Sequence, residues 1–172
     1  AAREKQGRNA RPSLLIVDAQ SVKNSDCAGV KGYDAGKKVS GIKRHIAVDT
    51  LGLPHAVAVT PANETDRKGA LQALKQNKAY LSDVRALLLD AGYTGAPFAH
   101  AAQDMLGKDC EIVIVKRDQL HTFKVMPKRW IVERSFAWLE KNRRLWKNCE
   151  RWLNTTLQLI TLAFIGTLLR RL

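Results

Sequence analysis

The chain predicts a mixed α/β domain: a five-stranded sheet of three antiparallel and two parallel strands, flanked by helices. Two observations carry that prediction. Short apolar runs of strand length, such as Leu14 to Val17 and Leu87 to Leu89, alternate with longer stretches of helical spacing. The 172 residues also have a hydrophobic content of 45%, enough for one domain with a sizeable core. A run that is apolar at every position suits a strand covered on both faces, so helices are expected on either side of the sheet.

Residues 1 to 12 carry charge, Gly and Pro without periodicity and read as a basic linker or arm; residues 13 to 172 form the domain. Leu14 to Val17 is the first strand, and Asp18 marks its end. Between Lys23 and Gly41, three glycines (Gly29, Gly32, Gly36) and several lysines predict an extended loop, either a plain surface loop or one that approaches a phosphate backbone. His45 to Val48 and His55 to Val59 read as strands joined by the turn Asp49-Thr50-Leu51-Gly52, completing an antiparallel meander. Asn63-Glu64-Thr65-Asp66 offers N-cap chemistry for a helix running through Leu71 and Leu74 toward Tyr80.

Val84 to Leu89 is the next apolar strand, closed by Asp90. Pro97 opens an alanine-rich helix that Gly107 stops. Glu111 to Val115 is the fifth strand, followed by a basic loop through Pro127, a long helix from about Lys128 to Asn148, and an apolar helix to the C-terminus. The order β-β-β-α-β-α-β-α-α matches the ribonuclease H type of α/β fold, in which the first and fourth strands lie side by side. Asp18 and Asp90 then end on neighbouring strands, and the long helix brings Glu133 over them.

Three acids set against apolar sequence point to chemistry, because desolvating an unpaired carboxylate costs several kcal/mol. Carboxylates are hard oxygen ligands suited to Mg2+ or Mn2+, and two aspartates with one glutamate can hold a pair of such ions for in-line phosphoryl transfer. Asp49 and Asp66 are the rivals; Asp49 lies in a turn and Asp66 at a helix start, both ordinary structural places for Asp.

Lys and Arg number 29 against 16 Asp and Glu, a net charge of +13 that favours a polyanionic partner, nucleic acid first. The stretch from Lys116 to Arg151 alone holds eleven basic residues against four acidic ones. Lys23, Lys43 and Arg44 are candidate DNA contacts. So are Arg129, Lys141 and Arg144, which share a helical face with Glu133, beside an apolar face of Val132, Phe136, Leu139 and Trp146. Cys27, Cys110 and Cys149 lack CxxC spacing, and the four histidines show no ligand spacing, so neither set is given a role. The uncharged stretch from Trp152 to Leu169 is interrupted by Asn, Gln and Thr and reads as a helix buried in protein, not a membrane span.

The segments VDAQSVK (17–23), KKVSGIKRHIAVDTLGLPHAVAVTPANETDRKGA (37–70), LLLDAGYTG (87–95) and RWIVERSFAWLEKNRRL (129–145) resemble the DDE transposases of small bacterial insertion sequences, in particular the insertion-sequence-five type. The resemblance implies that Asp18, Asp90 and Glu133 form a catalytic triad holding two Mg2+ or Mn2+ ions. Against the family's related glutamate signature, Arg129 and Glu133 fit. Met126 stands where a Tyr is expected and Glu140 at a basic position, with Lys141 one place later.

The expected activity is metal-dependent DNA cleavage and strand transfer on transposon ends and target DNA, by a homo-oligomer in the bacterial cytoplasm, at the nucleoid. Members usually carry an N-terminal region that reads the inverted repeats; only the short arm precedes Leu14, so the chain resembles the catalytic portion, with an upstream partner polypeptide as a further expectation. The alternatives are a catalytically inactive or repurposed DNA-binding protein, against which the intact triad argues, and a ribonuclease H-like nuclease, against which the ERSFAWL block argues.

Overall fold

The computed structural model describes residues 2–115 and 128–170. The predicted basic loop through Pro127, with Met126, lies outside them. Six strands form one mixed sheet: β1 (Leu14–Lys23), β2 (Gly32–Asp34), β3 (Val39–Val48), β4 (Pro54–Pro61), β5 (Ala86–Asp90) and β6 (Glu111–Val115). Helices α1 (Asp66–Asn77) and α2 (Ala96–Leu106) flank β5 in sequence, and α3 (Arg129–Glu140) and α4 (Leu153–Leu169) follow β6.

Strand order across the sheet is β4, β3, β1, β5, β6, with the short β2 paired to the first residues of β3. β1 pairs antiparallel with β3, from Ile16 opposite Val48 to Lys23 opposite Gly41, and parallel with β5, from Leu14 opposite Ala86 to Ile16 opposite Leu88. β6 adds to β5 in parallel. Three long antiparallel strands extended by two parallel ones give the ribonuclease H-like arrangement, with β1 and β5 adjacent as expected; the short antiparallel β2 makes six strands where five were expected.

Alternation along the strands sends their side chains to two cores. Leu15, Val17, Leu87 and Leu89 pack with Ala70 and Leu74 of α1 and Phe98 and Ala102 of α2. Ile16, Val22 and Leu88 pack on the opposite face with Val132, Phe136 and Leu139 of α3 and Ile160 and Phe164 of α4. Asp18 and Asp90 follow Ile16 and Leu88 by two residues each, so their side chains project to the α3 face. At the start of α1, Thr65 caps the helix, its Oγ1 accepting from the Lys68 amide at 3.3 Å. Gly107, at φ +118, ends α2.

Three expectations need correction. Asp18 does not end its strand. Beyond it Ala19, Gln20, Ser21 and Val22 keep alternating between faces and stay paired to β3, so β1 runs five residues further. The Lys23 to Gly41 stretch is not wholly loop, since it holds β2 and the start of β3. The long helix stops at Glu140, not near Asn148. The Asn142 side chain donates to the carbonyls of Trp138 at 3.0 Å and Leu139 at 3.2 Å, satisfying oxygens that a continuing helix would have bonded. Trp146 consequently leaves the apolar face and is exposed, whereas Val132, Phe136 and Leu139 are buried. Among the described residues no helix is long and apolar enough to cross a membrane.

Candidate active site

The site is built where β1, β5 and α3 meet. The first turn of α3 lies over the carboxyl end of β5, and several contacts fix it there. Ser135 donates to the Gly52 carbonyl at 3.0 Å and Arg134 to the Leu51 carbonyl at 3.0 Å. The Arg134 guanidinium also stacks at 4.7 Å on Trp130 and 4.9 Å on Trp138, one turn before and after it on the helix. Gly52 is required in that turn: at φ +81, a Cβ would meet the Trp138 ring at 3.0 Å. The turn itself is held by Asp49, whose Oδ1 accepts from the amides of Leu51 at 2.8 Å and Leu53 at 2.9 Å.

Arg129, the first residue of α3, reaches both aspartates. Its guanidinium donates to Asp18 Oδ2 at 3.0 Å and lies 3.1 Å from Asp90 Oδ2. The second oxygens are used locally: Asp18 Oδ1 accepts from the Ala19 amide and Asp90 Oδ1 from the Gly92 amide, each at 2.8 Å. Two carboxylates from adjacent strands thus converge on one cation, with side-chain exposures of 16% for Asp18, 33% for Asp90 and 14% for Arg129. Glu133 sits one turn further along α3 and is exposed. Its charge reaches the cluster: burial works against the Arg129 guanidinium, but Asp18, Asp90 and Glu133 outweigh it and raise its pKa.

Asp18 and Asp49 separate a site carboxylate from a structural one. For Asp49, burial raises the pKa, yet hydrogen bonds from His55, the Leu53 amide, Arg3 and the Leu51 amide reverse the sign and hold it below its usual value. For Asp18, burial is the larger effect; Arg129, the Ala19 amide and Lys37 do not cancel it, Asp90 adds to it, and the pKa is raised. Asp18 and Asp90 together offer an all-oxygen donor set, which fits a hard cation. Among the described residues no three His, Cys, Asp or Glu side chains are gathered closely enough to hold a metal, so Glu133 stands near the aspartate pair without closing on it.

The other predicted contacts divide by burial. Lys43 and Arg44 are buried, so they do not lie on a surface that could meet DNA. Lys43 is 3.2 Å from Asp34 and 2.9 Å from Asp66. Arg44 is fully covered and donates to the Leu145 carbonyl, and burial lowers its pKa to about 10. Arg144 does not share the Glu133 face because the helix has ended, and it pairs with Glu150 at 2.5 Å, whereas Lys141 is the C-cap of α3 and is exposed. Glu140 accepts from Gln20 of β1 at 2.6 Å, which fastens the end of α3 to the strand that carries Asp18. Lys23 is exposed.

Two neighbours were not singled out by the sequence. Lys37 donates to the Ala19 carbonyl at 3.0 Å and acts on Asp18. Tyr93, three residues past Asp90, is buried, and its hydroxyl has no hydrogen-bond partner among the described residues. Burial first, then Asp18, Asp66 and Asp90, raise its pKa well above the ordinary tyrosine value. An aromatic residue just after a strand-ending Asp-Ala-Gly was the only sequence signal for it.

The family described as Transposase DDE domain matches residues 9–168. A Burkholderia cepacia protein, described as the candidate transposase for insertion sequence element IS402, is 33% identical over 118 residues, covering 64% of this chain and 54% of its own length. The chain thus spans about half the length of that curated relative. Among solved structures, the catalytic core domain of HTLV-2 integrase in complex with magnesium, in its trimeric form, has a TM-score of 0.49 at 15% identity, over 94% of this chain and 86% of that one. A chain of the simian T-cell lymphotropic virus intasome with the PP2A regulatory subunit B56 gamma has a TM-score of 0.47 at 16% identity, over 91% of this chain and 49% of that one.

Proposed function

The chain belongs to the Transposase DDE domain family, and from that membership we propose that Asp18, Asp90 and Glu133 are its catalytic triad, acting in metal-dependent cleavage and strand transfer of DNA. One observation carries the reading: two aspartates on adjacent parallel strands share a single cation under the helix that bears Glu133. The ERSFAWL block supports the insertion-sequence-five branch within the family.

Asp18 and Asp90 would hold Mg2+ or Mn2+, two ions per site, with Glu133 supplied from α3. When bound, such ions supply an activated water or 3′-hydroxyl and charge stabilisation for the departing oxygen. The protein's own groups do the rest. β1 and β5 fix the spacing of the aspartates, and the contacts of Arg134 and Ser135 to the β3–β4 turn fix the height of α3 above them. Arg129 shields the aspartate pair from mutual repulsion in the free protein. Once released from that duty it remains within a side-chain length of the same place, where a guanidinium suits a substrate phosphate. The basic charge of the chain favours DNA ends and target DNA as the polyanion. Work on two ends requires at least two copies assembled on DNA, and an upstream polypeptide is a candidate supplier of end recognition.

The test is nicking of supercoiled plasmid by the purified chain in Mg2+ or Mn2+, beside Asp90→Asn and Glu133→Gln. The expected result is metal-dependent nicking in the parent and its loss in both variants. Nicking that survives either substitution refutes the triad.

A further inference from the structure

A second feature lies away from the carboxylates, at the far end of β1. A groove of about 480 Å³ is lined by Lys23, Lys31 and Lys38, with Ser25, Ser40 and Tyr33 between them. Tyr33 is a large aromatic at 56% exposure, and all three lysines are exposed. Among the described residues none of the three lysines is ion-paired or hydrogen-bonded through its ammonium group. One acid, Asp26, lies on the same wall, so the groove keeps a positive excess.

The walls are built rather than loose. One is the segment from Asn24 to Lys31, tied to the stretch before α4. Ser25 N donates to the Asn148 carbonyl at 2.8 Å, Gly29 N to the Glu150 carbonyl at 3.3 Å, and Asn148 Nδ2 to Asn24 Oδ1 at 2.9 Å. Gly29 lies so close to Arg151 that a Cβ would meet its carbonyl oxygen at 2.5 Å. The other wall is the β2–β3 hairpin, where Asp34 Oδ1 accepts from the Lys37 amide at 3.1 Å and Lys38 adopts φ +54, a conformation that favours glycine. Three ammonium groups and two hydroxyls around one groove match the phosphate oxygens of a nucleic-acid backbone.

We infer that this groove is a clamp for the phosphate backbone of duplex DNA outside the carboxylate site. Lys23 lies five residues beyond Asp18 on β1, about 16 Å along the strand, and alternation sends it to the opposite face of the sheet. The ligand chemistry stands on the groove alone.

The experiment measures binding without metal, so it does not depend on cleavage. A labelled 30-base-pair duplex is titrated with the chain in EDTA between 50 and 200 mM salt. The parent is compared with Lys23→Ser/Lys31→Ser/Lys38→Ser and with Lys68→Ser/Lys75→Ser/Lys78→Ser, which removes equal charge from α1 and the turn after it. Each phosphate contact contributes about 0.9 to the slope of log K against log salt. Three contacts would make the parent lose up to about 40-fold more affinity across that range than the groove variant. A slope reduced by about 0.9 or more in the groove variant, and by less in the control, is the expected result. A smaller reduction, or an equal one in the control, overturns the clamp. A parent that binds with the slope difference intact but does not nick plasmid in Mg2+ or Mn2+ would instead count against the proposed catalysis and leave the clamp standing.

Discussion

Replacing Arg129 by methionine keeps the length of the side chain and removes the cation that, among the described residues, touches both Asp18 and Asp90. Breaking a buried pair by deleting one partner costs about 3–5 kcal/mol, because the charge left behind is no longer compensated. Here the guanidinium and Asp18 are mostly covered but Asp90 is a third exposed, at 33%, so water recovers part of the loss. The low end, about 3 kcal/mol, is the fitting figure. For a domain of this size that corresponds to a fall in Tm of roughly 6–12 °C in EDTA. The sign of the metal effect is more diagnostic. In the parent an incoming cation must displace the guanidinium, whereas in Arg129→Met it meets two carboxylates with no competitor. Mn2+ should therefore raise the Tm of the variant more than that of the parent. The assay is thermal unfolding of both proteins with EDTA and with increasing Mn2+. A fall below about 2 °C in EDTA, or equal Mn2+ shifts in the two proteins, would refute the view of Arg129 as the occupant of the cation position.

Further outcomes follow from the buried polar groups. His45 is fully buried and its pKa is lowered by burial to about 4. The unfolded chain binds that proton first, so the stability is fully present above pH 6.5 and is lost as pH falls toward 4, by about 3 kcal/mol in all. Urea unfolding across that range should show this slope in the parent and lose it in His45→Gln. Gly69 of α1 faces the same ring, and a Cβ there would lie 2.0 Å from His45 Nε2; Gly69→Ala should cost about 1–3 kcal/mol in the same assay. Lys43→Met strands Asp34 and Asp66 and should lower stability by about 3 kcal/mol, while leaving the salt slope of DNA binding unchanged because Lys43 is buried.

Much of this architecture was legible because its signals are local. Continuous apolar runs marked Leu14 to Val17 and Leu87 to Leu89 as strands with both faces covered, and the adjacency of β1 and β5 followed from element order. The rest depended on pairing. Ala19 to Lys23 lacks a run of large apolar residues, and only the partner strand β3 keeps it extended, so Asp18 looked like a strand end. The Lys23 to Gly41 stretch reads as loop from its glycines, yet Gly41 is where β1 and β2 both approach β3, and a Cβ there would meet the Val22 carbonyl oxygen at 2.0 Å. Charge alone could not separate Lys43 and Arg44 from Lys23. β3 is covered along the whole of residues 41–48, and the acids that hold Lys43 come from other elements, β2 and α1. Helical periodicity continued past Glu140 on paper, but the Asn142 side chain ends the helix and removes Arg144 from the Glu133 face.

The central claim is that three acids on three elements hold one metal centre, and that Glu133 closes on the aspartate pair when it forms. Mn2+ binding followed by electron paramagnetic resonance, on the parent and on Asp18→Asn, Asp90→Asn and Glu133→Gln, tests it most directly. The account predicts saturable binding in the parent that is weakened at least tenfold, about 1.4 kcal/mol, by each substitution, Glu133→Gln included. Binding that Glu133→Gln leaves unchanged would contradict it.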